Sequence, residues 1–508
     1  MDKKKKDWFK LKRYPHIGLP LDINDRYKWI QQYVTNPEKV AKHSFLPFIH
    51  KTSRVKKYRK NYIINDGKLI KTEIEGKKAY REGSEKKREL FYASHLDSLI
   101  FSYYSTILSE KYEEKIQELN LDEVVNAYRS VKINTEDEKS PNKCNIDFAN
   151  DVFKYILNYQ EDQFTVIAFD ISSFFDNLNH KLLREVWGNI IGESKLPVDH
   201  FNVFKNITRF SHVDIVDIFN EFKDRIYTRK LSKENQPLEI KQKKVAHIRF
   251  LRNQNAIAFC TKDEFIKVKH KLLQPSKTRI KDGKIIYRDY GIPQGSPISS
   301  ILANMYLINF DRTINDFITN NGGIYRRYSD DMVVVCPLTK KDALSKLVYE
   351  EIEKYKLTIQ SKKTQIFQFK KVQNKLVCGQ EFEEVVNWNK NFIYLGFEFD
   401  GQTVLLKSAS ISGFYRKMKR TIRSAKHYSK NTNGEIFKKR IFKKFSYKGA
   451  KRTRKWIWSN TTKTFEKSDS YNWGNFLSYA YKASNTMINN KIKSQTKRHW
   501  NILNNILK

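Results

Sequence analysis

Two adjacent aspartates at a predicted turn constrain this chain more than any other feature of its sequence. They stand in the run Tyr328-Ser329-Asp330-Asp331, which follows segment 322–327 and precedes the apolar run 332–336. This pattern predicts a tight turn between two short strands. Two neighbouring carboxylates cannot both be buried without a cation, so the pattern indicates a divalent metal site. An ordinary hairpin tip is the alternative, because Asp is common in turns.

A third carboxylate, Asp170, meets the same requirement. It follows the strand-like run 164–169, and a strand there could deliver it beside the turn that holds Asp330. Magnesium prefers oxygen ligands, which Asp supplies better than His or Cys. Two such ions, about 3.5–4 Å apart, clamp the attacking and leaving oxygens of an in-line displacement. The sequence therefore predicts phosphoryl transfer at Asp170, Asp330 and Asp331 with two Mg²⁺ ions, and with Mn²⁺ as an alternative metal.

Three sequence blocks, taken together, resemble the ordered signature of reverse transcriptases. They are segment 169–180, segment 291–307 with its Gly-Ile-Pro-Gln-Gly start, and segment 328–331. All three occur in the order typical of that family, which makes the resemblance specific. The blocks are most similar to the bacterial branch that includes group II intron, retron and phage-defence enzymes.

Shorter blocks extend the resemblance. Segments 88–112 and 127–129 resemble the fingers of the family, and segments 363–364 and 392–397 resemble its last palm blocks. The resemblance implies an α+β right-hand polymerase with fingers, palm and α-helical thumb, preceded by an N-terminal extension.

The same resemblance leads to a predicted domain division. We expect an N-terminal extension at 1–85, fingers and palm at 86–400, and a basic thumb at 401–508. The stretch between Asp170 and Gly291 is 120 residues long, more than a compact palm needs, so we also predict an insertion at 195–288.

Several residues receive roles from the resemblance. Phe175 stands where the family excludes a 2′-hydroxyl, which implies deoxynucleoside triphosphates as substrates; ordinary core packing is the alternative. The backbone carbonyl of Ile171 would complete the metal shell. Gln294 and Gly295 lie in the loop that supports the templating base and the incoming nucleotide, where glycine allows close backbone approach.

Two basic residues are expected to contact the triphosphate. Arg129 is one, because a guanidinium suits phosphate geometry, and a solvated surface arginine is its alternative. Lys363 is the other, although the neighbouring Lys362 could be the true equivalent.

A predicted hairpin near residue 400 corresponds to the part of the family that holds the primer end. It contains Tyr394, Leu395 and Gly396, and the Asp400-Gly401 step predicts a turn within it. Two further Asp-Gly steps, at 66–67 and 282–283, predict hairpins of the same kind.

The composition agrees with a polyanionic partner. The chain has 96 Lys and Arg against 56 Asp and Glu, a net charge of +40, which predicts nucleic acid binding. Residues 413–508 contain 25 of these basic residues and three acidic ones, interleaved with tryptophans. Basic side chains track phosphates and aromatic side chains stack on bases. We assign nucleic-acid binding to a basic cluster there, formed by Lys451, Arg452, Arg454 and Lys455, with a solvated surface as the alternative.

The sequence also gives expectations about location. No run approaches eighteen apolar residues, and the N-terminal segment lacks the apolar region of a signal peptide. The four cysteines are widely separated and lack metal-ligand spacing. We therefore expect a cytoplasmic protein without a membrane span, a zinc site or a disulfide framework.

Together these features predict an RNA-directed DNA polymerase that takes RNA as template and makes DNA. Segments 8–16 and 43–49 look most like the phage-defence group, in which a dedicated noncoding RNA can supply the template. The alternatives are a group II intron-like maturase, a template-independent protein-primed polymerase of the same fold, and a non-catalytic RNA-binding scaffold. The lack of a Cys and His nuclease region weighs against the first, and the three retained carboxylates weigh against the last.

Overall fold

The computed structural model describes most of the chain, as two compact units. It describes residues 7–60, 62–65, 68–71, 81–137, 139–229, 239–275, 279–281, 284–459, 464–471 and 474–508. One unit comprises Met1–Arg129, Phe169–Val333 and Asp342–Thr364, and the other comprises Ser130–Ala168, Val334–Lys341 and Gln365–Lys508. We predicted three consecutive domains, with boundaries after residues 85 and 400. The two compact units each combine separate segments of the chain, so they do not test this division, which stays a prediction.

Strands and short helices alternate up to the first long helix. The elements are β1 (His16–Ile17), α1 (Gln31–Val34), α2 (Pro37–Ala41), β2 (Phe48–Lys60), β3 (Tyr62–Asn65), β4 (Lys68–Lys71), β5 (Arg81–Tyr92) and α3 (His95–Glu118). β2 and β5 form an antiparallel ribbon from Ile49 opposite Tyr92 to Lys60 opposite Arg81. β3 pairs antiparallel with β4, as predicted for a hairpin, although its turn residues 66–67 lie outside the described residues.

Helices dominate the next stretch. The elements are α4 (Asn145–Leu157), β6 (Gln163–Asp170), α5 (Phe174–Asn177), α6 (His180–Ile191), α7 (Val198–Thr208), β7 (His212–Asp214), α8 (Ile215–Phe222), β8 (Ile226–Arg229), β9 (Ile240–Lys243), β10 (Ala256–Cys260), α9 (Lys262–Leu272), β11 (Arg279–Lys281) and β12 (Lys284–Ile286). β11 and β12 pair antiparallel on either side of the predicted turn 282–283, which itself lies outside the described residues.

A small sheet joins the N-terminal segment to the region that we predicted as an insertion. Its strand order is β1-β10-β8-β9, and β1 pairs parallel to β10, with Ile17 opposite Cys260. Ile17 is buried in one core with Phe219, Phe222 and Phe259. The N-terminal segment is therefore built into the same structure as residues 212–272. Whether this region is an insertion relative to other polymerases stays a prediction.

Two helices precede the acidic turn, of which the first is almost entirely buried and the second is buried on one face. The elements are α10 (Ser299–Tyr306), α11 (Ile308–Thr319), β13 (Ile324–Tyr328), β14 (Asp331–Pro337) and α12 (Lys341–Lys354). In α10 the side chains of Ile301, Leu302, Met305 and Tyr306 are buried, as their helical spacing predicts for a core helix.

The central sheet has the strand order β13-β14-β6-β15-β16-β17, where β15 is Gln365–Val372, β16 is Lys375–Phe382 and β17 is Val385–Asn387. The residues of β14 from Met332 to Cys336 are all buried, as are Phe164, Val166, Ile167 and Phe169 in β6. A continuous apolar run suits a strand that is covered on both faces. Both runs were predicted as strands, and the structure has them as strands.

The C-terminal part combines helices with two hairpins. The elements are β18 (Phe392–Tyr394), β19 (Phe397–Phe399), β20 (Val404–Leu406), α13 (Ser408–Thr432), α14 (Lys438–Phe445), β21 (Arg454–Ser459), β22 (Thr464–Tyr471), α15 (Phe476–Thr486), α16 (Ile492–Thr496) and α17 (His499–Leu507). Phe414, Met418 and Ile422, four residues apart, place one face of α13 in a core with Leu477 and Leu503.

The hairpin of β21 and β22 is an exception to the α-helical structure that we predicted for the thumb at 401–508. Its first strand contains Trp456, Ile457 and Trp458, and aromatic and β-branched residues favour strands. Among the described residues there is no helix long and apolar enough to cross a membrane.

Candidate active site

The acidic turn lies between two paired strands. β13 ends at Tyr328 and β14 begins at Asp331. Ser329 has a left-handed backbone, with φ of 62°, which reverses the chain in a tight turn. β6 is the next strand beside β14, and Asp170 is its last residue. The order of strands therefore puts Asp170 beside Asp330 and Asp331.

Backbone hydrogen bonds hold the end of β6 against this turn. The Ile171 amide donates to the Asp330 carbonyl over 3.2 Å. The Gln360 amide donates to the Asp170 carbonyl over 2.9 Å, and the Ser172 amide donates to the Thr358 carbonyl over 2.9 Å. These bonds fix the backbone of Asp170 and its neighbours on both sides.

Negative charge is concentrated at this place. Burial among protein atoms and, after it, the negative charges of Asp330 and Asp170 together raise the pKa of Asp331 to about 6. The positive charges of Lys86 and Lys363 oppose the shift. An anion at Asp331 is therefore costly unless a cation is nearby.

Lys363, which we expected at the triphosphate, instead contacts a carboxylate. Its Nζ donates to Asp170 Oδ1 over 2.6 Å, and both side chains are mostly buried. The side chain of Lys362, the alternative residue, is outside the described part of the chain.

The carboxylate oxygens of Asp170, Asp330 and Asp331 are suitable ligands for a divalent metal ion, although their side chains are not arranged around one common point. Within the described residues, no three His, Cys, Asp or Glu side chains form a group that could hold a metal ion. One oxygen of Asp170 is paired with Lys363. Three carboxylates that repel one another are the donor set that Mg²⁺ or Mn²⁺ prefers.

The segment with Phe175 is joined to the glycine loop. The Ile292 amide donates to the Phe175 carbonyl over 2.8 Å, and the Gly291 amide donates to the Leu178 carbonyl over 2.7 Å. Gly291 has φ of +84°, and a Cβ on it would lie 2.6 Å from the Asp176 carbonyl oxygen. Only glycine allows this approach. The half-buried Phe175 is therefore held at a fixed distance from the loop.

His180, the first residue of α6, also contacts the glycine loop. Its Nε2 lies 2.8 Å from the Gly291 carbonyl oxygen, and its Nδ1 lies 3.0 Å from the Arg288 carbonyl oxygen. The imidazole therefore links α6 to the segment that leads into the loop.

Gln294 and Gly295 lie at the end of strand β5. The Phe91 amide donates to the Gln294 carbonyl over 2.9 Å, and the Gln294 side chain is half-buried. Gly295 is exposed with φ of +115°, and a Cβ on it would lie 2.9 Å from the Phe91 carbonyl oxygen. The glycine is thus required by the close approach of two backbones.

Arg129, which we expected to contact the triphosphate, is paired with a carboxylate of the chain. Its Nε and Nη2 donate to the Glu113 carboxylate over 2.9 Å and 2.7 Å. Its Nη1 also donates to the Val125 carbonyl, over 2.7 Å. The guanidinium is therefore satisfied by the protein, and a role in triphosphate binding stays a prediction that requires this ion pair to open.

The predicted primer segment forms a hairpin. Tyr394 in β18 is opposite Phe397 in β19, and Leu395 and Gly396 form the two-residue turn with φ of 44° and 93°. Asn145 Nδ2 donates to the Leu395 carbonyl over 3.1 Å. The hairpin is a fact of the structure, and primer binding by it stays a prediction.

The basic cluster lies at and just before strand β21. Lys451, Arg452 and Arg454 are exposed, and the Arg452 guanidinium lies 5.4 Å from the centre of the Tyr471 ring. Trp456 is 60% exposed, and Lys467 Nζ lies 5.4 Å from its ring centre. Exposed aromatic rings beside cations are typical of a surface that contacts single-stranded nucleic acid. Lys455 follows in the same strand and is half-buried.

Two residues near the acidic turn were missed by the sequence reasoning. Lys86 acts electrostatically on Asp331, but it stands in the basic run Lys86-Lys87-Arg88, whose members cannot be told apart by pattern. Arg327 donates to the Ser329 carbonyl over 3.2 Å and was treated only as a flank of the turn. Its position two residues before Ser329 was the available signal.

Comparison with known proteins agrees with the sequence blocks. Residues 205–399 match the family described as reverse transcriptase (RNA-dependent DNA polymerase). The match includes Asp330 and Asp331 and begins after Asp170. It confirms the predicted α+β right-hand polymerase fold and, for this domain, the predicted enzyme class of RNA-directed DNA polymerase. No curated protein matches the chain in sequence.

Solved telomerase structures show a distant likeness. Apo telomerase from Candida tropicalis, truncated from its C-terminal domain, is 12% identical with a TM-score of 0.32, over 63% of this chain and 52% of that one. Telomerase from Candida albicans with a fragment of telomeric RNA is 13% identical with a TM-score of 0.31, over 78% and 54%. The chain thus spans about half the length of these telomerases.

Proposed function

We propose that this protein is an RNA-directed DNA polymerase that adds deoxynucleotides to a 3′-hydroxyl with two divalent metal ions and copies a noncoding RNA in bacterial antiphage defence. The reverse transcriptase match at 205–399 supports polymerisation. The finer parts of the proposal, which are the metal, the template and the biological role, rest on separate observations.

The observation that carries the chemistry is the meeting of Asp170 with the acidic turn. The hydrogen bond from the Ile171 amide to the Asp330 carbonyl joins two segments that are far apart in sequence. Each segment brings at least one carboxylate to the same edge of the sheet. A cluster of this charge, in a chain that matches a polymerase family, supports metal-dependent phosphoryl transfer.

We assign the metal ions to Asp170, Asp330 and Asp331, with the carbonyl of Ile171 as a further oxygen donor. Bound there, divalent ions activate the 3′-hydroxyl and neutralise the charge of the triphosphate. Mg²⁺ is the expected ion because all of these donors are oxygens, and Mn²⁺ is the alternative.

The chain itself must then position the nucleotide and neutralise its remaining charge. Lys363 and Lys86 are the cations that already act on the acidic site, so they suit a negatively charged triphosphate. Phe175 is held next to the loop of Gly291 by backbone hydrogen bonds, which suits a fixed wall against a 2′-hydroxyl. Deoxynucleoside triphosphates are therefore the proposed substrates.

RNA and DNA are the proposed macromolecular partners. The net charge of +40 supports a polyanionic partner, and the exposed cations and rings of β21 and β22 supply a surface for it. The role in phage defence, with a dedicated noncoding RNA as template, rests on the resemblance of segments 8–16 and 43–49 to that group of enzymes. The proposed cytoplasmic location rests on the lack of a run of eighteen apolar residues in the sequence.

The test is to sequence the nucleic acid that the protein makes and carries in bacterial cells. We expect one enriched RNA with complementary DNA for the wild type, and the same RNA without DNA for Asp330→Asn. Purified protein should extend a DNA primer on an RNA template in Mg²⁺. DNA without any complementary RNA would point to template-independent synthesis, and cellular DNA that persists in Asp330→Asn would contradict the proposal.

A further inference from the structure

A buried arginine stands directly behind the acidic turn. Arg327 is the last but one residue of β13, and its side chain is 0% exposed. The structure gives its guanidinium three partners: a carboxylate on helix α11, Asn304 on helix α10 and the backbone of the turn itself. Burial of an arginine is rare unless every part of it is paired.

The carboxylate is that of Asp311, also 0% exposed. Arg327 Nε donates to Asp311 Oδ1 over 2.7 Å, and Nη2 donates to Oδ2 over 2.6 Å, which is a two-point ion pair. The Tyr325 hydroxyl donates to Asp311 Oδ1 over 2.8 Å. This pair fixes the plane of the guanidinium relative to α11.

The remaining nitrogen of the fork is directed to the turn. Arg327 Nη1 donates to the Ser329 carbonyl over 3.2 Å, and it also lies 3.4 Å from Asn304 Oδ1. The Ser329 carbonyl belongs to the peptide that leads into Asp330. Ser329 holds an unfavourable left-handed backbone with φ of 62°, a conformation that needs support from its surroundings.

The strand that carries Arg327 is fixed as well. Its amide donates to the Val124 carbonyl over 2.8 Å, and its carbonyl accepts from the Asn126 amide over 2.9 Å. Asn304 Nδ2 donates to the Ala127 carbonyl over 2.9 Å. The guanidinium therefore has a rigid frame on every side, and the turn is the part that it can hold in place.

We propose that Arg327 is a positioning residue, which uses its ion pair with Asp311 as an anchor and its bond to the Ser329 carbonyl to set the direction of the Asp330 and Asp331 carboxylates. This inference rests on the proposed function, since those carboxylates are the proposed metal ligands. A planar fork suits the task because one side chain can bind a carboxylate at two points and still donate elsewhere.

The chemistry of the pair argues against stability as its main role. A buried ion pair can often be replaced by apolar side chains of similar volume without loss of stability. Such a replacement fills the same space but has no donor for the Ser329 carbonyl. Positioning and stability can therefore be separated by experiment.

The central variant is the double substitution Arg327→Met with Asp311→Leu, and the adjacent arginine supplies the control. Arg326 and Arg327 are neighbours on one strand, so their side chains leave opposite faces. Arg326 Nη2 donates to Glu123 Oε2 over 2.6 Å, and Glu123 is exposed. Arg326→Met with Glu123→Gln thus removes an arginine and an ion pair without touching the Ser329 carbonyl.

Three quantities are measured on the full-length variants: the melting temperature without metal, the Kd for Mn²⁺ by electron paramagnetic resonance, and kcat with KM for primer extension. We expect the central variant to fold with a melting temperature close to or somewhat below that of the wild type, because apolar packing replaces the ion pair while the buried Tyr325 hydroxyl loses its acceptor. Its Mn²⁺ affinity and kcat should fall about 10- to 100-fold, as is usual when the support of a metal ligand is removed. KM for the nucleotide should change little, and the control variant should match the wild type.

A folded central variant with wild-type Mn²⁺ affinity and kcat would overturn the inference. If that variant fails to fold, Arg327→Lys takes its place, because it keeps a charge beside Asp311 but loses the planar fork; unchanged Mn²⁺ affinity in it would overturn the inference equally. If wild type binds Mn²⁺ through Asp330 but extends no primer, the proposed function fails, while the Mn²⁺ affinities still decide the role of Arg327. If Asp330→Asn binds Mn²⁺ as tightly as wild type, the inference is wrong.

Discussion

Lys363 donates from Nζ to Asp170 Oδ1 over 2.6 Å, so a cation of the chain already neutralises the first carboxylate of the candidate active site. The two side chains are 29% and 20% exposed, and the contact is therefore partly shielded from water. In the proposed mechanism, a metal ion at Asp170 would compete with this ammonium group for Oδ1, and a displaced Lys363 would be available to the triphosphate.

Removal of this ammonium group should make metal binding easier. We expect Lys363→Met to bind Mn²⁺ about fivefold more tightly than wild type, because a partly exposed ion pair contributes about 1 kcal/mol. The nucleotide KM should rise at the same time, since a cation near the triphosphate is lost. The measurements are a Mn²⁺ titration and steady-state primer extension. Weaker Mn²⁺ binding would show that Lys363 supports the metal site instead of competing with it.

The carboxylates themselves should be indispensable for the reaction. Asp170→Asn and Asp330→Asn each keep the shape of the side chain but remove the charge that holds a metal ion. We expect incorporation to fall below detection in both variants, with melting temperatures close to wild type. Primer extension on an RNA template measures nucleotide incorporation, and thermal unfolding measures the melting temperature. Full extension by either variant, beside an active wild type, would refute the assignment of the site.

The raised pKa of Asp331 makes a prediction about stability. Its pKa is about 6 in the folded protein against an ordinary value of 3.8, so the folded state binds this proton more tightly than the unfolded state. Stability contributed by the proton is present below pH 3.8 and is lost as pH rises towards 6. Asp331→Asn should therefore raise the free energy of unfolding at pH 8, by on the order of 1 kcal/mol after allowance for solvent screening.

Denaturant unfolding without metal at pH 4 and pH 8 measures this difference. The gain from Asp331→Asn should be present at pH 8 and absent at pH 4. Added Mg²⁺ should stabilise the wild type more than the variant, because the ion binds the carboxylate. An equal gain at both pH values would show that the substitution acts through packing and not through the charge.

The parts of this site that the sequence predicted are those with a local cause. The strands that end at Asp170 and begin at Asp331 come from apolar runs, and a buried strand needs such a run wherever it lies. The glycine at 291 is required by a positive φ and by a nearby carbonyl. Each of these requirements is written in a short stretch of sequence.

The partners of the charged side chains were not predictable in this way. Arg129 binds Glu113, and Arg327 binds Asp311. In each pair the acidic residue lies 16 residues earlier in the chain, a separation that no helix or strand periodicity predicts. Both arginines belong to motif-like blocks, but only three-dimensional packing selects their acidic partners. The hairpin at Trp456 was missed for another reason. Its basic, aromatic segment lies between helices, and we predicted it to be helical like the sequence on either side.

The segment with Phe175 makes a prediction about sugar selectivity. Its carbonyl accepts a hydrogen bond from the Ile292 amide over 2.8 Å, so the backbone of Phe175 is fixed relative to the glycine loop. Phe175→Ala should open space for a 2′-hydroxyl and raise the use of ribonucleotides relative to deoxynucleotides, by about tenfold or more if the contact contributes 1–3 kcal/mol. The ratio of kcat/KM for the two nucleotides measures this. A ratio that does not move would assign Phe175 to core packing.

Much of the affinity for nucleic acid should come from the basic cluster of Lys451, Arg452, Arg454 and Lys455. Each phosphate contact releases counterions, so log affinity falls with log salt by about 0.9 per contact for a duplex and about 0.7 for a single strand. Replacing all four residues by Gln should therefore flatten the slope of log affinity against log salt by up to about 3.6 on a duplex or about 2.8 on a single strand, as well as weaken binding.

A control for this measurement lies in the same hairpin. Trp456→Ala removes an exposed ring but no charge. Binding should therefore weaken by about 1–3 kcal/mol per stacked base, while the slope of log affinity against log salt stays the same. Binding of a primed RNA template over a range of salt concentrations separates the two effects, because only phosphate contacts change the slope. An unchanged slope in the fourfold variant would show that the cluster is a solvated surface and that the phosphates are held by other parts of the chain.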